Sequence, residues 1–291
     1  VLTIDDMSFG VGQNLTIAGK VKSDCNSFSI NIGHGPDSIA LHFNPRFKYN
    51  KDRKVIVCNS YLGSWGVEQK ERDFPFNQDG DFKVEFSFSN DRFLIKLPNG
   101  NMIDFPNRSG DDKFKHLHVK GAVKLHTIEF RASHSTGTLN HITDKMVLTV
   151  KDMMFKAGQE LSISGKVKSG CEKFSINIGH DADNIALHFN PRFCYNGDTN
   201  IIVCNSNQGG WGEEVREHSF PFQHDEAFKV PTTAHPQNVG TVCVTINFNN
   251  EQFYIKLPNG TMMSFPNRHG DDAFNHFDVR GDVKVEGIKM K

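Results

Sequence analysis

The sequence lacks long apolar runs: none of its 291 residues lies in a stretch near the ~20 apolar residues that a transmembrane helix requires. It also lacks an excess of either charge, with 33 basic and 34 acidic residues and a formal net charge of -1. Phosphate binding usually needs a basic face, so this balance argues against nucleic acid as a partner. We therefore expect neither membrane insertion nor nucleic-acid binding.

Cysteine is sparse, and its spacing supports neither a metal site nor a redox motif. The six cysteines form no C-x-x-C pair, and the histidines offer no clear ligand pair. Each half of the chain is long and rich in Phe, so an ordinary core can form without disulfides. We expect free thiols in a reducing compartment, with no metal and no cofactor. The first residues reach Asp5 and Asp6 without an apolar stretch, which predicts no secretory signal there.

The sequence repeats itself. LHFNPRF occurs at Leu41–Phe47 and Leu187–Phe193, and VCNS, FPF and one Trp recur at the same spacing of 146 positions. KLPNG, at Lys96–Gly100 and Lys256–Gly260, recurs at a spacing of 160 positions, as does FPNR. The second copy therefore contains 14 additional residues. They fall around 231–242, where two prolines and a glycine predict an inserted surface loop.

The repeats predict a domain at residues 1–130, a flexible polar linker at 131–145 and a second domain at 146–291. Within each domain, short stretches alternate between apolar and polar residues, as in Phe28, Ile30 and Ile32. Such alternation predicts β-strands, and many short strands between turns are typical of a sandwich or barrel. We therefore expect an all-β protein with two domains in tandem.

One predicted strand carries a polar row. In LHFNPRF, alternation places His42, Asn44 and Arg46 on one face, while Pro45, which cannot donate to a ladder, predicts a bulge or an interrupted pairing. The candidate binding residues downstream are Asn59, Trp65, Glu68 and Lys70. The equivalent set in the second copy is His188, Asn190, Arg192, Asn205, Trp211, Glu214 and Arg216. A polar row alone is usual for a solvated face, but core packing does not explain its recurrence.

These residue types suit a sugar. Arg supplies forked donors, the Asn amide donates and accepts, and Glu accepts from hydroxyls. Trp offers a rigid apolar plane for the C–H groups of a galactose ring. A row of His, Asn and Arg could select the axial hydroxyl of galactose. An epimer that lacks this hydroxyl would leave these side chains without hydrogen-bond partners, which costs about 1–3 kcal/mol for each buried polar group.

The motifs resemble the carbohydrate-recognition signature of the galectin family: H-x-N-P-R at His42–Arg46, V-x-N at Val57–Asn59 and W-G-x-E at Trp65–Glu68. The resemblance covers nearly all of both copies. It implies a tandem-repeat galectin with two prototype-like domains, each a jelly-roll-like β-sandwich. It further implies a calcium-independent β-galactoside-binding lectin that cross-links galactose-containing glycans on glycoconjugates, with ligands such as lactose and N-acetyllactosamine.

The resemblance also implies roles for single residues. The axial hydroxyl and ring oxygen of galactose would be held by His42, Asn44 and Arg46, its primary hydroxyl by Asn59 and Glu68, and its ring by stacking on Trp65. Their second-copy counterparts would do the same. The family resemblance suggests a cytoplasmic pool that is exported to the extracellular space without a signal peptide, and free thiols predict oxidative loss of activity there.

The first copy departs from the family pattern at Lys70, where W-G-x-E-x-R has an Arg, as the second copy does at Arg216. Lys has no fork, so we expect weaker or altered binding of the second sugar in the first domain. Another departure is at Asn50 and Asn196, where the prototype often has a His.

Two other functions compete with the lectin hypothesis. A retaining glycosidase needs two carboxyl groups about 5–5.5 Å apart, but each signature supplies one Glu, so we expect no enzyme. A glycan-independent protein-interaction scaffold is the main alternative.

Overall fold

The computed structural model describes residues 2–132, 148–225 and 243–291. These residues form strands and turns, and none of them belongs to a helix long and apolar enough to cross a membrane. The chain divides into two compact units, Val1–Asn140 and His141–Lys291, here called unit one and unit two. The inserted loop expected at 231–242 lies outside the described residues, as does the linker expected at 131–145 beyond its first two positions.

Unit one is built from two antiparallel sheets. The first contains Leu2–Asp5 (β1), Phe28–Gly35 (β4), Ser38–Tyr49 (β5), Asp52–Leu62 (β6), Gln69–Glu71 (β7) and His116–Gly121 (β12), in the order β1-β12-β4-β5-β6-β7. The second contains Gln13–Val21 (β3), Asp81–Phe88 (β8), Arg92–Lys96 (β9), Met102–Pro106 (β10) and Val123–Ala132 (β13), in the order β10-β9-β8-β3-β13. A short ribbon pairs Phe9–Gly10 (β2) with Lys113–Phe114 (β11).

Unit two repeats this topology. Its first sheet contains Leu148–Lys156 (β14), Phe174–Gly179 (β16), Asn184–Tyr195 (β17), Asp198–Gln208 (β18), Val215–Glu217 (β19) and Ala273–Gly281 (β23), in the order β19-β18-β17-β16-β23-β14. Its second contains Glu160–Val167 (β15), Cys243–Phe248 (β20), Gln252–Lys256 (β21), Met262–Pro266 (β22) and Val283–Met290 (β24), in the order β24-β15-β20-β21-β22. The predicted fold class, all-β with two jelly-roll-like sandwich domains in tandem, is confirmed.

Phenylalanine rings fill the space between the two sheets of each unit. In unit one, Phe28 of β4 lies 5.2 Å from Phe82 of β8, and Phe43 of β5 lies 5.6 Å from Phe86 of β8, measured between ring centroids. Phe28 and Phe43 are fully buried, and truncating rings of this kind to Ala typically costs about 3–5 kcal/mol. Because the apolar face of β5 is fixed against this core, its alternate residues must lie on the outer face of the sheet.

The pairing of β5 is interrupted at Pro45. On one side Pro45 pairs with β6, but on the other side the ladder with β4 skips it, resuming only at an isolated bridge between Ser27 and Arg46. Pro45 has no N–H, so the carbonyl of Phe28 cannot accept a backbone hydrogen bond from it. This carbonyl accepts a hydrogen bond from Nδ2 of Asn44 at 2.6 Å instead. Unit two repeats the bond from Asn190 to Phe174 at 2.7 Å. The interruption therefore fixes which way the Asn amide points.

Candidate functional site

The predicted polar row lies in a groove on the outer face of the first sheet. In unit one the groove has a volume of about 690 Å³, and six of the seven candidate residues line it: His42, Asn44, Arg46, Asn59, Trp65 and Glu68. Strand β5 supplies the His, Asn and Arg, β6 supplies Asn59, and the segment before β7 supplies Trp65 and Glu68. Lys70 does not line the groove but contacts Glu68 and Asp52 at its edge.

The site histidine is neutral, and its hydrogen-bond partner favours one tautomer. Burial, and then the charge of Arg46, lower the pKa of His42 to about 4. Its Nδ1 lies 2.5 Å from Oδ1 of Asn31, and since that oxygen can only accept, this contact favours the tautomer with the proton on Nδ1. Nε2 is left as an acceptor for a hydroxyl donor. In unit two the pKa of His188 is likewise about 4, and its Nδ1 lies 2.5 Å from Oδ1 of Asn177.

Asn44 and Arg46 form a chain of charge-assisted bonds. Nε of Arg46 donates to Oδ1 of Asn44 at 2.8 Å, and its Nη1 donates to Asp52 at 2.5 Å. Its Nη2 lies 3.6 Å from Oε1 of Glu68. Hydrogen bonds from Lys70 and Arg46 hold the pKa of Asp52 below its ordinary range. The guanidinium is therefore fixed between two carboxylates while part of its edge remains open to the groove.

The two units differ at the cation beside Glu68. In unit two, Arg216 spans both carboxylates, with Nη1 2.6 Å from Oδ1 of Asp198 and Nη2 2.6 Å from Oε2 of Glu214. In unit one, Nζ of Lys70 lies 2.8 Å from Asp52 but 3.6 Å from Glu68. The single ammonium of Lys70 therefore does not bridge the two carboxylates with two short bonds, as the forked guanidinium of Arg216 does.

An exposed indole forms one wall of each site. Trp65 is 54% exposed and Trp211 is 55% exposed, so each offers an open ring face. The ring of His42 lies 4.9 Å from Trp65, and that of Tyr61 lies 5.3 Å from it. Trp211 has the equivalent His188 at 4.8 Å, but unit two has Asn207 where unit one has Tyr61. Trp65 therefore packs against two aromatic rings, whereas Trp211 has an Asn at the position of the second ring.

Sequence reasoning missed the residue that fixes the Trp segment. Nη1 of Arg108 donates to Oδ1 of Asn59 at 3.1 Å and to Oγ of Ser60 at 3.0 Å, and its Nη2 donates to the carbonyl of Val67 at 2.8 Å. A Cβ on Gly66 would lie 2.5 Å from Nη1, so this approach requires a glycine. Arg268 makes equivalent bonds in unit two. The repeated FPNR motif was the available signal.

Asn50 and Asn196, the second departure from the family pattern, have a backbone reason for being Asn. Both have a φ of 51°, in the left-handed region that Asn tolerates better than most residues. They close the hairpins between β5 and β6 and between β17 and β18. Asn50 also lines the groove, so it contributes an amide there.

No group of three or more metal-binding side chains arranged to hold an ion occurs in the parts of the chain that the structure describes. His116 of β12 has a structural partner, since its Nδ1 lies 2.8 Å from Oδ1 of Asp5.

Comparison with known proteins finds the family described as galactoside-binding lectin at residues 1–130 and 146–240. The chain is 42% identical to galectin-1 of Ovis aries over 145 residues. The matched region is 50% of this chain and 97% of that protein. It is 41% identical over 126 residues to a β-galactoside-binding lectin of Electrophorus electricus, covering 43% and 93% respectively. Among solved structures it is similar to Dario rerio galectin-1-L2, with 48% identity, a TM-score of 0.43, and coverage of 44% of this chain and 97% of that one.

Proposed function

The chain belongs to the galactoside-binding lectin family, and we propose that each unit holds one β-galactoside, without calcium, so that one chain cross-links two glycans. The observation that carries this proposal is the duplication of one site geometry. In both units a neutral His, an oriented Asn, an Arg between two carboxylates and an exposed Trp occupy equivalent places. Shared packing accounts for the repeated core, whereas a shared ligand accounts for the repeated site.

Each group has a part in holding galactose. Nε2 of His42 accepts from the axial hydroxyl, while Asn44 and Arg46 donate to that hydroxyl and to the ring oxygen. The primary hydroxyl lies between Asn59 and Glu68. The C–H face of the ring packs on the open face of Trp65. Unit two uses its equivalent residues, His188, Asn190, Arg192, Asn205, Glu214 and Trp211.

The use of the carboxylates in ion pairs supports calcium independence. Asp52 already accepts from Arg46 and Lys70, and Glu68 lies 3.6 Å from each of the same two cations. A divalent cation would have to displace a guanidinium and an ammonium that neutralise these charges. Lactose affinity is expected to be the same in calcium and in a chelator.

The same pairing supports binding without hydrolysis. A general acid needs a carboxyl group that stays protonated near neutral pH, but the pKa of Asp52 is lowered by its hydrogen bonds. The one glutamate of the signature, Glu68, lies 3.6 Å from each of two cations, Arg46 and Lys70. Lactose incubated with the protein is therefore expected to stay intact.

Two sites on one chain convert weak contacts into avidity, by a factor on the order of 10²–10⁴ where both can engage. We propose that the partners are lactose-like and N-acetyllactosamine-like termini on cell-surface or secreted glycoconjugates. We also propose a cytoplasmic pool exported without a signal peptide, supported by the six cysteines, all of which are free.

Calorimetric titration of lactose into the whole chain, with a thiol reductant and a chelator, tests the proposal. We expect a stoichiometry near two, and clumping of galactose-coated beads that excess lactose reverses. A stoichiometry near one would contradict a second working site. No binding at all, with partner binding retained in a Trp65→Ala, Trp211→Ala double variant, would replace the lectin function with a glycan-independent scaffold.

A further inference from the structure

A buried carboxylate stands behind the site histidine of unit two, where unit one has a histidine. Asp278 of β23 is directly opposite Asn177 of β16, the residue that holds His188. The same register in unit one sets His118 opposite Asn31. The Asp278 side chain is 1% exposed. A buried charge at this place is costly unless it is fully paired, so its partners are informative.

Asp278 accepts from four donors. Oδ1 accepts Nδ2 of Asn177 at 2.6 Å and Nε of Arg280 at 2.8 Å. Oδ2 accepts Nη2 of Arg280 at 2.9 Å and Nε2 of His276 at 3.3 Å. Burial raises the pKa of Asp278, but the hydrogen bonds from His276, Arg280 and Asn177 together outweigh burial and lower it. The group is therefore an ionised carboxylate, which accepts and never donates.

An ionised carboxylate permits one orientation of the Asn177 amide. With Nδ2 on the carboxylate, Oδ1 faces Nδ1 of His188 at 2.5 Å. The reversed amide would place its oxygen against a carboxylate oxygen and its NH2 group against Nδ1–H of His188, losing both bonds. Nδ1 of His188 must therefore carry the proton, and Nε2 must be the acceptor that faces the ligand.

Unit one fixes the same amide less strictly. Nδ2 of Asn31 donates to Oγ of Ser29 and to the carbonyl of His118, each at 3.3 Å. A hydroxyl donates as readily as it accepts, so Ser29 still offers a partner to a reversed Asn31 amide. Unit two has an equivalent long bond, from Nδ2 of Asn177 to Oγ of Ser175 at 3.4 Å. It differs in that a 2.6 Å bond to a charged carboxylate replaces the 3.3 Å bond to a backbone carbonyl.

We propose that Asp278 is a positioning residue of the second site: through Asn177 it locks His188 in the Nδ1–H tautomer, which keeps Nε2 as an acceptor for a ligand hydroxyl. This inference rests on the proposed galactoside function, in which that hydroxyl is the axial one. The Asp278 side chain is buried, so it acts on the ligand only through Asn177 and His188.

The first test reads the tautomer directly. The whole chain is labelled with ¹⁵N-histidine, and the signals of His188 are assigned by their loss in His188→Gln. In the natural chain we expect the Nδ1–H tautomer alone. In Asp278→Asn, and in Asp278→His, which imports the residue that unit one has at this position, we expect both tautomers. The His42 signals of unit one serve as the internal control and should not change.

The second test reads binding. The chain has two Trp residues, one in each site, so Trp65→Phe leaves Trp211 as the only indole reporter. On this background both Asp278 variants should bind lactose roughly three- to tenfold more weakly, the range expected for one oriented hydrogen bond. Thermal melting of each variant checks that unit two is folded. The reverse change is His118→Asp in unit one, which should make the His42 tautomer more uniform.

The outcomes separate this inference from the proposed function. A His188 tautomer that is unchanged in both Asp278 variants would overturn the inference, as would a changed tautomer with unchanged lactose affinity. Failure of the natural chain to bind lactose would instead remove the galactoside function, and the tautomer measurement would still decide whether Asp278 orients His188. If both Asp278 variants unfold unit two, a His42 tautomer unaffected by His118→Asp would count against the mechanism.

Discussion

Arg216 donates to Glu214 through a 2.6 Å bond between Nη2 and Oε2. The equivalent atoms in unit one, Nζ of Lys70 and Oε2 of Glu68, are 3.6 Å apart. The glutamate that we propose contacts the sugar is therefore anchored more firmly in unit two. This asymmetry leads to the first prediction.

Exchanging the two cations should exchange the affinities of the sites. We expect Lys70→Arg to strengthen binding of N-acetyllactosamine at unit one by about two- to fivefold, and Arg216→Lys to weaken it at unit two by a similar factor, in line with about 0.5–1 kcal/mol for one exposed charge-assisted bond. Each site is measured by the fluorescence of its own indole: Trp65 reports unit one in a Trp211→Phe background, and Trp211 reports unit two in a Trp65→Phe background. Equal affinities of the two natural sites would refute this account.

Removing Arg108 should loosen the whole Trp segment. Its side chain bonds Asn59, Ser60 and the carbonyl of Val67, so Arg108→Ala leaves several polar groups unsatisfied at about 1–3 kcal/mol each where they are buried. We expect lactose affinity at unit one to fall by at least about tenfold, with a lower melting temperature.

Arg92→Ala is the matched control for that variant. Arg92 pairs with Asp104 on the surface, and an exposed pair of this kind contributes about 0–1 kcal/mol. Neither lactose binding nor melting should change appreciably. If Arg108→Ala behaved like this control, the anchoring role would be wrong.

Lactose binding should be insensitive to pH across the neutral range. The pKa values of His42 and His188 are lowered to about 4 by burial, so both rings keep their acceptor nitrogen until the pH falls through about 4. Asp52 stays ionised further still, because hydrogen bonds lower its pKa. Affinity measured from pH 8 to pH 5 should be flat, and a midpoint near the ordinary histidine value of 6.5 would contradict the burial described.

The same histidines should make stability depend on pH where binding does not. In the unfolded chain they take up protons below their ordinary pKa of 6.5, whereas in the folded chain they stay neutral to about 4. The unfolded state thus binds more protons in this window, and the free energy of unfolding should decrease as pH falls from 6.5 to 4. Chemical denaturation of the natural chain and of His42→Gln should show a smaller decrease in the variant.

Tyr61 should brace the indole of unit one. Its ring lies 5.3 Å from that of Trp65 on an edge-to-face geometry, an arrangement that contributes about 0.5–1.5 kcal/mol. Tyr61→Asn, which copies unit two, should increase the mobility of Trp65 in fluorescence anisotropy and weaken lactose binding a few-fold. Tyr61→Phe keeps the ring and should restore both. Asn207→Tyr offers the opposite exchange in unit two.

Thiol reactivity should follow exposure. Cys194 is exposed and Cys243 is half-buried, whereas the other four thiols are buried, and burial raises the pKa of Cys58 to about 12. A thiol reagent should therefore modify Cys194 rapidly and Cys243 more slowly, and the remaining thiols only on unfolding. Cys194→Ser should remove the fast phase. A fast phase that persists would assign the reaction to another cysteine.

The binding-site residues that lie on β5 could be predicted from the sequence. Side chains on a strand alternate between its two faces, and the core face of β5 is plainly apolar. His42, Asn44 and Arg46 follow from that alternation alone. Their supports could not be read in the same way. Asn31, Asp52 and Arg108 lie on other strands or turns, and only strand pairing brings them to the site.

Some of those supports nevertheless left a signal. Asn31 alternates with buried apolar residues in SFSINI, and the FPNR motif that contains Arg108 recurs in both copies. The different residues behind His42 and His188 left a weaker signal, since His118 against Asp278 is one of three differences between HLHVKG at 116–121 and HFDVRG at 276–281. Its meaning depends on Asn177 being the cross-strand neighbour, which periodicity does not reveal.

The bonds among Asn44, Arg46 and Asp52, together with the bond from Asn44 to the carbonyl opposite Pro45, all join one protein group to another. Long side chains that would otherwise lose rotamer freedom on binding have already lost it on folding. The entropy lost on association then falls mainly on the sugar, and few protein groups need to be ordered. Such a template favours rapid exchange between similar glycans over slow, adaptive capture of one.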